Sequence, residues 1–332
     1  MPTDKPRLMI KHFLRIALIT LAGTQVAVAL SAKYWFFELF THWPHYYILA
    51  GLLLLALMIW KRMWASAIIT ILIIAMNLAI ITPYLDTSLA HPDPYAPENQ
   101  IKPVGTELSL LTSNFYVQNT DQDAFKTLLD QERPDIFIIH EASDIWQQDP
   151  ESTFGVTHPF QYKTEISGIR GIFMASKIQG QFRETPLGDY IGIEFTPELD
   201  SDQTPYKILA VHPQAPITAD YAKERNQQFK DIAAYTQYYE DQGYKIIISG
   251  DFNSTPFSPY FQEMLEKSGL HDARLGFGLI PTWHSTLPIF RIPIDHSLVS
   301  PELIVEEFRT TTKIPGSDHL PILLRLIIPE AM

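Results

Sequence analysis

The chain has 332 residues, 46% of them hydrophobic and 15 of them glycine, enough to bury a full core and leave apolar sequence over. It contains no cysteine, which excludes thiol catalysis, thiolate zinc sites and disulfides in one step. Residues 1–83 hold 7 of the 25 Lys and Arg and 2 of the 37 Asp and Glu, so the remainder carries 18 basic and 35 acidic groups, a net of −17. An acidic body of this kind argues against tight binding along a phosphate backbone, although a nuclease whose positive charge comes from a metal ion remains open.

The apolar excess lies at the front, in three runs at residues 13–31, 46–60 and 64–81. A bilayer core takes about 20 apolar residues per helix; the outer runs meet this, and the middle one does so if Pro44 and His45 mark the interface. None of the three is amphipathic, which counts against a buried helical hairpin of a soluble protein. Lys5, Arg7, Lys11 and Arg15 precede or open the first run, and Lys61 with Arg62 separates the second from the third, so both clusters are expected in the cytoplasm. The loop between the first two runs has Lys33 as its only basic residue, and its Tyr34, Trp35, Phe36, Phe37 and Trp43 suit a membrane interface. Three crossings then place everything after about residue 83 outside the cytoplasm. No small-residue cleavage site follows the first run, which is therefore expected to be retained.

Residues 1–83 are thus expected to form a three-helix membrane anchor. Residues 84–104, with Pro92, Pro94, Pro97 and Pro103 among polar residues, predict an extended spacer. Residues 105–332 are the size of one large domain. Strands are expected at 107–113, 135–140, 171–175, 191–195, 207–211, 245–249, 294–299 and 320–326, and helices at 121–131, 218–242 and 259–268. This mixture predicts an α/β (α+β) sandwich of two sheets.

Three phrases carry the chemistry: Ser249-Gly-Asp-Phe-Asn253, Ile294-Asp-His296 and Gly316-Ser-Asp-His-Leu-Pro321. Each sets acid, amide or imidazole groups beside an apolar run, Lys245-Ile-Ile-Ile-Ser249 before Asp251 being the plainest, so the polar groups are expected at one rim of a sheet. The combination points to metal-assisted phosphoester chemistry.

With Leu110-Leu-Thr-Ser-Asn114, Pro134-Asp-Ile-Phe-Ile-Ile-His-Glu141, Ala210-Val-His212, Gly250-Asp-Phe-Asn253, Pro281-Thr-Trp283 with Ile294-Asp295, and Ser317-Asp-His319 in that order, residues 107–327 resemble the endonuclease/exonuclease/phosphatase superfamily. The likeness is to its deoxyribonuclease-I-like fold and especially to its bacterial membrane-anchored members. The resemblance implies a divalent cation, Mg²⁺ or Mn²⁺, held by Glu141 with Asn114 close by and Asp318 completing the metal side. It implies that His319 activates or orients the attacking water and that Asp295 fixes its tautomer. Asp251 and Asn253 would face the scissile phosphate, and His212 would donate to the phosphate or protonate the leaving oxygen.

Two positions depart from the pattern. The branch with this histidine usually pairs it with a glutamate on the preceding strand, whereas Gly168-Ile-Arg-Gly-Ile-Phe-Met-Ala-Ser176 has no acid there, leaving Glu165 or Glu194 as substitutes. His296 stands where many relatives have tyrosine and is read as structural, as are Arg225 and Gln228 on the long helix; His140, His271 and His284 are left unassigned. The implied partners are a phosphate-ester substrate (lipid headgroup, nucleotide or nucleic acid) and the lipid bilayer through the N-terminal helices, with no protein partner identifiable. The implied location is the bacterial inner membrane, with the catalytic domain on the periplasmic side. An extracytoplasmic DNA nuclease is the alternative within the family. A non-catalytic sensor or interaction module is the alternative of another class, and the full set of acids at 141, 251, 295 and 318 counts against it.

Overall fold

The computed structural model describes residues 4–90, 104–146 and 154–330, so most of the expected spacer lies outside the described residues. The chain divides into two compact units, one of Met1–Pro83 with Phe257–Pro259 and one of Tyr84–Pro256 with Tyr260–Met332.

The first unit is helical: α1 (Asp4–Ala29), a single turn α2 (Trp35–Glu38), α3 (Pro44–Trp60) and most of α4 (Trp64–Leu85). Leu8–Ala29 and Trp64–Leu85, 22 residues each, are long and apolar enough to cross a membrane. The middle run is a 17-residue helix, shorter than the other two, so among the described residues two rather than three helices reach spanning length. Within the unit Leu14, Leu18, Met58, Ala67 and Ile73 pack together, while Ile16, Ile19, Leu53, Ile68 and Leu72 are exposed. The polar side chains behave in the opposite sense: Asn77 is buried and its Nδ2 donates to Gln25 Oε1 at 2.9 Å. Gly51 admits α4 closely, because a Cβ there would stand 2.7 Å from Ile74 Cγ1. Small residues at helix contacts and polar pairs turned inward are the packing that lipid favours.

The second unit is built on two six-stranded sheets. The first runs in the order β11 (Ile304–Thr310), β12 (Ile322–Pro329), β1 (Gly105–Asn114), β2 (Ile136–His140), β4 (Ile172–Ser176), β3 (Phe160–Lys163). The second runs β5 (Gly180–Leu187), β6 (Tyr190–Pro197), β7 (Tyr206–Val211), β8 (Lys245–Asp251), β10 (Asp295–Val299), β9 (His271–Asp272). Helix α5 (Gln122–Glu132) covers the outer face of the first sheet; α6 (Ala219–Glu240) and α7 (Pro259–Ser268) cover that of the second.

Alternation along each strand sends neighbours to opposite faces. Leu110, Ile136 and Ile138 thus meet Ile208, Ala210 and Ile247 between the sheets. Leu111, Phe137 and Ile139 pack outward against Phe125, Leu128 and Leu129 of α5. Strands covered on both faces read as unbroken apolar runs, which is why β2 is Ile-Phe-Ile-Ile-His and β8 opens Lys-Ile-Ile-Ile. Asp121 and Thr218 close the N-termini of α5 and α6 by accepting from Ala124 N and Tyr221 N.

Two parallel pairs, β1 with β2 and β7 with β8, form the centre of the sheets. Antiparallel β10 starts where β8 ends, with Asp295 opposite Asp251. The strands are fastened just below that end by a buried hydroxyl chain: Thr112 and Ser249 share a hydrogen bond of 2.7 Å, and Ser249 and Ser297 one of 2.8 Å. The topology therefore delivers the ends of β1, β2, β7 and β8 and the start of β10 to one rim.

Candidate active site

The rim gathers the polar residues that the sequence singles out. Asn114, at the end of β1, donates from Nδ2 to Glu141 Oε1 at 3.1 Å and to Asp251 Oδ2 at 3.0 Å, tying the two sheets together. Its Oδ1 accepts from Tyr116 N, which orients the amide. Glu141 leaves β2 with a φ of 56°, a left-handed conformation that costs a non-glycine residue about 1–2 kcal/mol. Its carboxylate is held by Asn114 on one oxygen and Val117 N, at 2.9 Å, on the other.

Asp251 is the hub. It is buried, its Oδ1 accepts from Asn253 N at 2.8 Å, and its Oδ2 lies 3.6 Å from both His212 Nε2 and His319 Nε2. His319 Nδ1 donates to Asp295 Oδ2 at 2.8 Å, since an ionised carboxylate can only accept. Asn253, also left-handed with a φ of 48°, donates from Nδ2 to Pro213 O and keeps a second amide hydrogen. Asp318 accepts from Trp283 Nε1 at 3.0 Å and, among the described residues, makes no hydrogen bond to the other expected metal ligands.

Charge accounts for the protonation states. Burial pushes the His319 imidazole down, but Asp295 and Asp251, with Asp318 behind them, outweigh it and hold its pKa at about 10. Burial opposes the charge on His212 too; there Asp251 and then Glu141 prevail, so its pKa is raised. Asp251 would be raised by burial and is instead driven well below the carboxylate range by the His319 and His212 imidazoles.

The missing partner of His212 is neither Glu165 nor Glu194. Glu194 is taken by Lys207 Nζ at 2.9 Å, Arg183 and the Tyr235 hydroxyl, Glu165 is exposed, and the carboxylates acting on His212 are Asp251 and Glu141. His296 is structural, as expected: fully buried, it meets Ser254 O at 2.8 Å and Arg274 at 3.0 Å. Arg274 in turn pairs with Asp272 and donates to the Asp295 carbonyl at 2.6 Å. Gln228 is scaffold, its Oε1 accepting from Gln214 N, and Arg225 is buried against Phe229 and Tyr260. His284 hydrogen-bonds Thr286, and His271 is exposed on β9.

Sequence reasoning passed over three contributors. His140, the last residue of β2, is completely buried, with its ring 5.6 Å from that of His212. Burial first, then His212, lowers its pKa to about 3, so it is a neutral imidazole inside the cluster. Thr282 Oγ1 accepts from Ile294 N and Asp295 N, each at 3.3 Å, and sets the start of β10. Ser317 Oγ donates to Asn114 O at 2.8 Å and accepts from His319 N at 3.1 Å, locking the Ser-Asp-His turn to β1. The last two sit inside motifs already noted; His140 reads as one more apolar-strand residue until its strand is placed beside β8.

The donor set fits a hard divalent cation. Glu141 and Asp251 share the Asn114 amide, Asp251 and Asp295 flank His319, and Asp318 adds its charge to the same imidazole; oxygen-rich, negatively charged sets of this kind suit Mg²⁺ or Mn²⁺. Asp251, Asp295 and His319 are the closest-spaced ligand atoms, within 4.8 Å of one another. Within that trio His319 Nδ1 donates to Asp295 while its Nε2 faces Asp251 at 3.6 Å, so the imidazole is the charge partner of both carboxylates.

Residues 111–319 match the model of the Endonuclease/Exonuclease/phosphatase family. No curated protein sequence matches the chain. Among solved structures, the 3′ phosphatase NExo from Neisseria bound to product DNA hairpin is similar at 18% identity, with a TM-score of 0.54 over 65% of this chain and 98% of that one. Truncated Caenorhabditis elegans TDP2 is similar at 16% identity, TM-score 0.54, over 67% and 98%. Sphingomyelinase C from Streptomyces griseocarneus is similar at 14% identity, TM-score 0.50, over 66% and 99%. At such identities the likeness is one of fold, a two-sheet sandwich shared by proteins that act on different phosphoesters. The family match covers well over half of the sequence and includes the rim from Asn114 to His319, so the chain belongs to the endonuclease/exonuclease/phosphatase family.

Proposed function

We propose that the protein is a membrane-tethered, divalent-metal-dependent phosphoesterase, acting outside the cytoplasm by attack of water on phosphorus. The observation that carries this reading is the convergence of Asn114, Glu141, Asp251, Asp295, His212 and His319 at one rim through hydrogen bonds and 3.6 Å ion-pair contacts. Glu141, Asn114 and Asp318 would hold the cation. When bound, such a cation polarises a phosphoryl oxygen and offsets part of the carboxylate charge.

The protein groups do the rest. Asp295 fixes His319 with Nε2 toward Asp251, and the pair aligns the attacking water; with the carboxylate charge that keeps the imidazole protonated offset by the cation, His319 would be free to draw the water's proton. His212, whose protonated form Asp251 and Glu141 favour, donates to a phosphoryl or leaving oxygen. Asn253 offers its second amide hydrogen to the phosphate, where another carboxylate would repel the anion. Residues 1–83 would form the anchor, with α3 as the third crossing, 84–104 the spacer and 105–332 the catalytic domain; the basic residues at the start of α1 and those between α3 and α4 support a cytoplasmic amino terminus.

Hydrolysis of bis-p-nitrophenyl phosphate by the full chain in H₂¹⁸O tests the chemistry. The reading expects one ¹⁸O in the monoester product and none when His319→Ala replaces the wild type. A chain that binds phosphoesters without turnover favours the sensor module instead. A reporter active only in the cytoplasm, fused after residue 103, should be silent; activity there overturns the topology.

A further inference from the structure

The domain that carries the rim exposes few large apolar side chains, and they are unevenly placed. Of the eleven among the described residues between 104 and 330 that stand out in solvent, eight lie on loops at the catalytic rim or in the first turn that follows one. Single exposed apolar residues are ordinary; a cluster around a site is not.

Three loops make the cluster, and each is stapled to the acid–imidazole group. The loop before β4 carries exposed Ile166 and Ile169 and is bound through Gly168 N to Ala142 O, next to Glu141. The loop after β7 carries Ile217, 71% exposed, and its Pro213 carbonyl accepts from Asn253. The loop before β10 carries Leu287, Ile289 and Phe290, and its Ser285 N donates to Asp318 O at 2.6 Å. Apolar side chains held in place around a charged centre match a surface that is apolar at depth and phosphate-bearing at its face.

We propose that this rim docks on a lipid bilayer, with the side chains of the three loops entering the headgroup layer and the phosphate of a phospholipid reaching the acid–imidazole cluster. The proposal rests on reading that cluster as a phosphoesterase centre. Two further observations select the occupant. The same chain carries two helices long and apolar enough to cross a membrane, and a tether raises the effective concentration of a lipid surface. The net charge of −17 outside residues 1–83 opposes both nucleic acid and anionic lipid, which leaves a zwitterionic bilayer.

The absence of native cysteine allows a direct test. Full chains bearing Ile289→Cys or, as control, Tyr238→Cys on the far end of α6 are labelled with an environment-sensitive dye and reconstituted in phosphatidylcholine vesicles. The label at 289 should be quenched by nitroxide on the lipid chains and shielded from aqueous iodide, and the label at 238 the reverse. Equal iodide access at both positions overturns docking, as does shielding at 289 that appears only when a DNA oligonucleotide is added. In a second arm, Leu287→Ser/Ile289→Ser/Phe290→Ser should lower the ratio of phosphatidylcholine to bis-p-nitrophenyl phosphate turnover by about tenfold or more; an unchanged ratio overturns the substrate class. Quenching needs no turnover, so lipid docking in a protein that hydrolyses neither substrate would remove the phosphoesterase reading and leave the docking surface standing.

Discussion

Asp295 bears on the site through His319. Its carboxylate holds the imidazole Nδ1 at 2.8 Å and is itself set in place by Thr282 and by Arg274 on its carbonyl. Replacing it by asparagine keeps the shape but removes the charge that Asp295 sets against the imidazole and lets the amide turn the ring. Asp295→Asn should therefore lower kcat by about 10²–10⁴-fold with little change in KM, as measured by steady-state kinetics on a soluble diester. A loss confined to KM would mean that Asp295 binds substrate rather than orienting the imidazole. Away from the rim, His158 is buried against Phe137 and bonded to Pro134 O, and burial lowers its pKa from 6.5 to about 4. A histidine kept neutral by the fold contributes stability that is full above pH 6.5 and lost as the pH falls to about 4, because the unfolded chain then binds the proton more readily. His158→Gln should flatten that part of the stability–pH curve, read as the urea midpoint between pH 7 and 4; an unaltered curve would assign the acid sensitivity elsewhere.

At the scale of elements, Gly250 is the tightest joint. A Cβ there would lie 1.8 Å from the Val211 carbonyl and 3.1 Å from His140 Nε2, so β7, β8 and the end of β2 close together only around a glycine. Gly250→Ala should cost more than the roughly 1–3 kcal/mol of ordinary overpacking and appear as a large fall in Tm; an unchanged Tm would show that the backbone yields. What the sequence reveals of the elements follows burial. The eight expected strands are all present, and the four that were missed, β3, β5, β9 and β11, are the four edges of the two sheets. An edge strand keeps one flank in water: β5 reads Gly-Gln-Phe-Arg-Glu-Thr-Pro-Leu and β11 Ile-Val-Glu-Glu-Phe-Arg-Thr, without the continuous apolar signal of β2 or β8. Helix starts are legible because the caps Asp121 and Thr218 announce them. Within the site the motif residues stand out, but the contact of His140 with His212 depends on two strands from different sheets meeting, which no local pattern encodes.

At the scale of the molecule, the chain combines a helical unit with an apolar exterior and a sandwich whose charge is strongly negative. The parallel cores of the two sheets end together, and that single topological fact puts Asn114, Asn253, His212 and His319 around one buried carboxylate, Asp251, at 2.8 to 3.6 Å. Under the proposed function, the carboxylates gathered there, with imidazoles as their charged partners among the described side chains, would bind a cation. The direct test is the initial rate of bis-p-nitrophenyl phosphate hydrolysis by the full chain in detergent as Mg²⁺ or Mn²⁺ is titrated in from excess chelator. The account predicts no turnover in chelator, a saturable rise with metal, and a loss of about 10²-fold or more in Glu141→Ala at saturating metal. Turnover that persists in chelator, or that survives Glu141→Ala unchanged, would contradict it.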